Sequence, residues 1–233
     1  MHRLYERVAL TVCAVALSAI AVSSFSARAA TRVERFDEIV AKRVRVVDAS
    51  GKTRLLLSGK PMTETIIEGR VLPRIGGPRQ DAGLMFYNDQ GDEQGGLTYG
   101  GTGGEQGEAL TFDAWHQDQA LEIQHGDGPA GSDSYIAGNE LPKNSMAQTI
   151  PEFVREYNAL HTDEERQALR ARWRREGKFG RQRWMIGNRA GSSDVRLNDA
   201  NGHIRLWLRV DADGKARIDF LDENGTVTKS ITP

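Results

Sequence analysis

At five places that read as hairpin turns this chain closes a short run of polar residues on a glycine, in the form Asp/Asn-x-x-Gly, with apolar segments on either side. Three of these tetrapeptides, Asp199-Ala-Asn-Gly202, Asp211-Ala-Asp-Gly214 and Asp222-Glu-Asn-Gly225, follow one another at spacings of 12 and 11 residues. The other two are Asp48-Ala-Ser-Gly51 and Asn88-Asp-Gln-Gly91. The first side chain caps the turn by bonding its own backbone, and the glycine supplies the positive φ that closes a bulged hairpin. Between the last turns the pattern alternates. Ile204, Leu206, Leu208 and Val210 point one way, and Arg205, Trp207 and Arg209 the other. Ala216, Ile218 and Phe220 repeat it, with Arg217, Asp219 and Leu221 opposite. A period of two with regular turns predicts an antiparallel meander with one face covered. Trp207 and Leu221 imply that the second face is partly covered too. Segments 44–57, 84–99 and the pair 109–113 and 120–124 read as earlier hairpins, the last with a longer connection.

The period changes to that of helices in one place. Pro151, Phe153, Val154, Tyr157 and Leu160 mark a first short helix, with the proline in its first turn. Thr162-Asp-Glu-Glu165 is a capping box opening a second, which carries Leu169 and Trp173. Residues 61–80, 100–108 and 126–144 read as loops from their Gly, Pro, Ser and Asp content. The expected fold is mainly β: an antiparallel hairpin/meander sheet over 44–233 with a two-helix insert over 149–178, a connector over 30–43, and an N-terminal hydrophobic helix. The 25 glycines favour turns over long helices.

Val8 to Phe25 is an 18-residue apolar run preceded by Arg3 and Arg7. Ala27 and Ala29 form an A-x-A site, so residues 1–29 read as a signal peptide cleaved after Ala29 or as an uncleaved membrane anchor. Both readings take the chain to a membrane. They leave it exported or periplasmic, or tethered to the cytoplasmic membrane by one helix. Arg28, Arg32, Arg35, Lys42, Arg43 and Arg45 follow the run, and by the positive-inside rule they oppose export. The lone cysteine, Cys13, lies inside the run after Val12, where lipid attachment needs a small residue. The rest of the chain therefore has no disulfide or thiolate chemistry of its own.

The stretches Phe36-Asp-Glu-Ile39, Arg45 to Arg54, Gly83 to Leu97, Leu110-Thr-Phe-Asp113 with Gln117-Asp-Gln119, and Asp219 to Gly225 together resemble a family of uncharacterised bacterial proteins. That family joins an N-terminal membrane segment to a β-repeat domain. The resemblance spans nearly the whole chain after the leader, and is weakest in the helical insert. It implies a bacterial source and a membrane or exported setting, and it carries over no activity and no functional residues.

Chemistry-bearing motifs are sparse. G-x-S-x-G does not occur, the glycine tract from Gly95 to Gly107 spells neither a P-loop nor G-x-G-x-x-G, and no cofactor is expected. The Asp-x-x-Gly turns fail as EF-hand loops, because alignment on Gly214 puts Arg209 at position 1 and Phe220 at position 12. The densest polar group is Asp113, His116, Asp118, His125 and Asp127. His116, Asp118, His125 and Asp127 are the candidate metal ligands, although their spacing matches no tight ligand set. Ser192, Ser193 and Asp194, which read as a turn, and His203 are the residue types of a nucleophilic site without its spacing. With a net charge of −1, no nucleic-acid partner is expected. One basic stretch, Arg166 to Arg183, could meet anionic lipid through Arg170, Arg174 and Arg175, or be a solvated face paired with Asp163, Glu164, Glu165 and Glu176. The expectation is a non-enzymatic cell-envelope protein acting through contacts of its sheet, with homo-oligomers formed to protect strand edges. The alternative is a ligand- or metal-binding protein or hydrolase using the Asp113–Asp127 region.

Overall fold

A computed structural model describes residues 33–62, 64–189 and 191–233. The hydrophobic run, Cys13 and the A-x-A site lie outside the described residues. Residues 33–40 form a unit separate from 41–233 and contain neither helix nor strand. Among the described residues no helix is long and apolar enough to cross a membrane.

Twelve strands form one antiparallel sheet in almost unbroken sequence order: β1 (Arg43–Val47), β2 (Thr53–Ser58), β5 (Ala82–Tyr87), β6 (Glu93–Thr102), β7 (Glu105–Asp113), β8 (Gln119–Gly128), β9 (Gly131–Glu140), β10 (Arg181–Arg189), β11 (Ser192–Asn198), β12 (Ile204–Val210), β13 (Ala216–Leu221) and β14 (Val227–Ile231). The two-stranded β3 (Ile66–Ile67) and β4 (Arg70–Val71) stand apart in the segment between β2 and β5. The Asp/Asn-x-x-Gly turns behave as their chemistry requires. Asp222 Oδ1 accepts from the backbone N–H of Asn224 (2.9 Å) and Thr226 (2.8 Å), and Gly225 takes φ of 80°. In the first turn the Ser50 hydroxyl and neighbouring N–H groups hold the Asp48 carboxyl down to about 2.

Three expectations need correcting. Residues 100–108 and 126–144 are not loops but mostly strand: β6 and β7 meet across Gly103–Gly104, and β9 fills 131–140. Ser192, Ser193 and Asp194 lie in β11 rather than a turn. Glycine and serine have weak β propensity of their own, and here pairing on both sides decides the conformation. The first helix, α1 (Met146–Asn158), starts earlier than Pro151 implies. Ser145 is its N-cap and accepts from the Ala147 N–H at 3.1 Å, so Pro151 falls in the second turn. The second, α2 (Asp163–Arg175), opens on Thr162 and Glu165 bonded reciprocally as the capping box predicts.

The core is divided. Leu56, Met85 and Tyr87 of the sheet bury against Met62 of the β2–β5 segment, which therefore crosses that side of the sheet. Ile67 and Leu72 of the same segment pack on Ala147, Met146 and Ile150 of α1. The two helices close on each other through Phe153, Leu169 and the fully buried Trp173, with Phe179 edge-on to Phe153 at 4.9 Å.

Candidate functional site

The two faces of the sheet differ in an unexpected way. The charged side chains of the C-terminal strands lie on the buried face, and the aliphatic ones lie on the exposed face. Asp194 and Asp219 are 4% and 1% exposed, whereas Leu208, on the strand between them, is 47% exposed. This reverses the expected orientation of the meander. The buried charges are sustained by pairing. Asp219 Oδ2 meets Arg209 at 3.1 Å and Arg217 at 3.4 Å, and its Oδ1 accepts from the Ser230 hydroxyl. Asp194 pairs with Arg196 and accepts from Trp207 Nε1–H at 3.1 Å.

On the other face the register aligns one aliphatic residue per strand. Val44 opposes Leu57, then come Leu84, Leu97, Leu110, Ile123, Ile136, Ile186, Val195, Leu208, Ile218 and Ile231, each directly opposite the next. The row crosses all twelve strands without a polar residue. With strands about 4.8 Å apart, it is roughly 53 Å long. Its most open member, Ile186, is 52% exposed. A second row toward one end of the strands continues the band through Leu55, Phe112, Trp184, Leu197 and Phe220. Gly138 belongs to this row and leaves room for an indole: a Cβ there would stand 2.3 Å from Trp184 Nε1. A shallow trough of about 430 Å³ follows the middle of the band, lined by Leu97, Leu110, Ile123, Ile136 and Ile186. The row toward the other end is polar at its centre, with Glu108, His125, Ser134, Asn188 and Ser193 in line.

The sequence-derived polar cluster is split by the fold. β8 carries its members to opposite ends, and Asp118 and Asp127 are about 30 Å apart along the strand. At one end His116, with φ of 53°, sets Nδ1 3.0 Å from Glu68 Oε1 and Nε2 3.1 Å from Asp92 Oδ2. Its carbonyl accepts from the Met146 N–H at 2.9 Å. His116 thus ties three parts together, its imidazole meeting the β2–β5 segment and the β5–β6 turn and its carbonyl the start of α1. Near it, Arg79 and Glu93 pair at 2.9 Å with both side chains nearly buried. Burial, then the charges of Asp118 and Glu93, raise the Asp113 carboxyl to about 7 against the pull of Arg79. At the far end His125 sets Nδ1 2.7 Å from Ser134 Oγ and Nε2 3.1 Å from Asp127 Oδ2. Hydrogen bonds from Ser132, then Gln106, keep Asp127 below the usual carboxylate range. Among the described residues no group of three or more His, Cys, Asp or Glu side chains could hold a metal ion. The other residue set does not assemble either. Asp194 is committed to Arg196 and Trp207 on the buried face, and His203 faces Asp199 at 3.4 Å.

The basic stretch is mixed. Arg172 pairs with Glu156, Arg166 and Arg170 lie 5.2 Å from the Tyr157 ring centroid, and Arg170, Arg174 and Arg175 are exposed. These geometries define a single-layer β-meander whose largest unsatisfied feature is an aliphatic face. The chain matches no protein-family model and no curated protein at a significant level.

The aliphatic row was the feature the sequence reading missed, and the sequence does carry a signal for it. Leu84, Leu97, Leu110, Ile123 and Ile136 recur every thirteen residues. Hairpins of constant strand-plus-turn length keep one register position in line, so this recurrence encodes the row.

Proposed function

We propose that this is a non-enzymatic cell-envelope protein that works through contacts made by the aliphatic face of its sheet. The supporting observation is the unbroken twelve-residue row. Fourteen large apolar side chains of this face are between 39% and 52% exposed. A half-exposed side chain of this size shows roughly 70–90 Å², so the band offers on the order of 1,000 Å². The largest apolar patch of a typical monomer is about 300–600 Å². A face of that extent meets another surface in use. The apolar run from Val8 to Phe25, read as a cleaved signal or as an anchor, supports an envelope address.

Cysteine protection in cells tests the face. In full chains with Cys13→Ser, Ile186→Cys is expected to react with a membrane-permeant maleimide at least tenfold more slowly than Glu164→Cys on α2. Equal rates would end the reading. Fractionation with N-terminal sequencing tests the address: a mature chain beginning at Ala30, or an intact leader in the membrane fraction, supports it. An intact chain in the cytosol overturns it.

A second reading, hydrolysis, draws on the Ser134–His125–Asp127 hydrogen-bonded string, the order that lets an imidazole take a hydroxyl proton. Labelling by a fluorophosphonate that disappears in Ser134→Ala would support it, and absence of labelling would remove it.

A further inference from the structure

We infer that the occupant of the aliphatic face is a second copy of this chain, laid face to face with its strands aligned, so that two single sheets form one sandwich. The inference rests on the reading of this face as the working surface. Area is the first argument. The band of about 1,000 Å² exceeds the ~800 Å² per partner of a standard stable interface. Shape is the second. A partner has to present an apolar row of matching length, roughly 53 Å, and matching twist, and a second copy of this sheet is such a surface. Two sheets stacked about 10 Å apart, with strands within about 30° of one another, bury such rows against each other.

Symmetry then selects one arrangement. A two-fold axis parallel to the strands, between β8 and β9 at the middle of the sheet, lays the aliphatic row on its copy. It also sets the Phe112–Trp184 row on its own counterpart and the Glu108–His125–Ser134 row on its own. A two-fold along the row instead sets aromatic residues over polar ones. In the favoured arrangement Ile123 faces the partner's Ile136, and β1 lies over β14. Charge disfavours a lipid surface as the occupant. Glu108 and Asp127 flank the band on its polar side, where an interfacial sheet would carry lysine or arginine.

Full chains carrying Cys13→Ser and one introduced cysteine test this, treated with a bismaleimide spanning about 10 Å. Ile123→Cys is expected to give a covalent dimer of the 25.8 kDa chain, because the two sites lie about 11 Å apart, one strand spacing across one sheet gap. Val44→Cys, at the end of the row, and Glu164→Cys are expected to stay monomeric. Adding Ile136→Lys to Ile123→Cys is expected to lower dimer yield at least tenfold, with unchanged far-UV circular dichroism showing that the chain still folds. If Ile123→Cys is protected from maleimide but does not cross-link, another partner covers the face: the second copy is ruled out and the proposed function survives. If it reacts as fast as Glu164→Cys, both fall. Self-linking of Val44→Cys, or a dimer undiminished by Ile136→Lys, overturns the arrangement.

Discussion

The guanidinium of Arg209 lies 3.7 Å from the ring centroid of Trp207, on the buried face of the sheet. Arg196 approaches the same ring at 4.8 Å, and Asp194 accepts its N–H. Two strands that look amphipathic in the ordinary sense thus bury the face that reads as polar. The buried face is held by a lattice of arginine, tryptophan and aspartate, in which each aspartate is shared between partners.

Asp219 is where that lattice is most exposed to damage. Asp219→Ala removes the fully buried carboxylate between Arg209 and Arg217 and leaves them only the partly exposed Asp211, so the loss is expected at the lower end of the range of about 3–5 kcal/mol that breaking a buried ion pair costs. Urea unfolding is the measurement. A loss below about 1 kcal/mol would mean that water reaches the pair.

Adjacent residues separate the two faces cleanly. Met185 is 0% exposed and Ile186 faces outward. Met185→Ala is expected to cost about 2–5 kcal/mol, in the range of other buried large-to-small changes. Ile186→Ser should stay within about 0.5 kcal/mol in dilute, uncomplexed protein, as at other surface sites. Comparable losses at low protein concentration would contradict the face assignment.

Asp113 makes stability depend on pH. Its folded value, about 7, lies above the ordinary 3.8, so the folded chain keeps a proton that the unfolded chain has released. The contribution is fully present below about pH 4 and is lost as pH rises through about 7. One oxygen, Oδ1, is buried without a hydrogen-bond partner, which adds to the cost of ionising it. Asp113→Asn should flatten this part of the stability profile and leave the protein more stable than the parent at pH 8. An unchanged profile would show that Asp113 ionises freely.

Trp173 joins the helices. It is fully buried, packed edge-on to Phe153 with ring centroids 5.0 Å apart, and covered by Lys178 4.4 Å from its ring centroid. Trp173→Ala is expected to cost about 3–5 kcal/mol. Near-UV circular dichroism should then lose aromatic signal while the hairpin strands persist. Loss of the whole sheet would show that the insert and the meander fold as one cooperative unit.

Local chemistry made part of this fold legible. The Asp48, Asn88, Asp199, Asp211 and Asp222 turns and the Thr162 capping box are closed by bonds between neighbours in sequence, and all stand where their residues predict. β9 and β11 were not legible in the same way. Gly131, Ser132 and Ser192 favour turns by themselves, and only pairing on both sides makes them strand. The polar cluster misled for a related reason: proximity in sequence places His116 and His125 together, while an extended strand carries them to opposite ends.

The sequence by itself determined the turns, the alternation along β12 and β13, the capped helix pair and the apolar run from Val8 to Phe25, because each depends on residues within a few positions of one another. Only the tertiary structure decided which side of the alternation faces inward. That depends on where the β2–β5 segment crosses and on whether buried aspartates find arginines, and both are fixed by residues far apart in the chain. The outcome, charge inside and an aliphatic row outside, is what gives this protein its candidate contact surface.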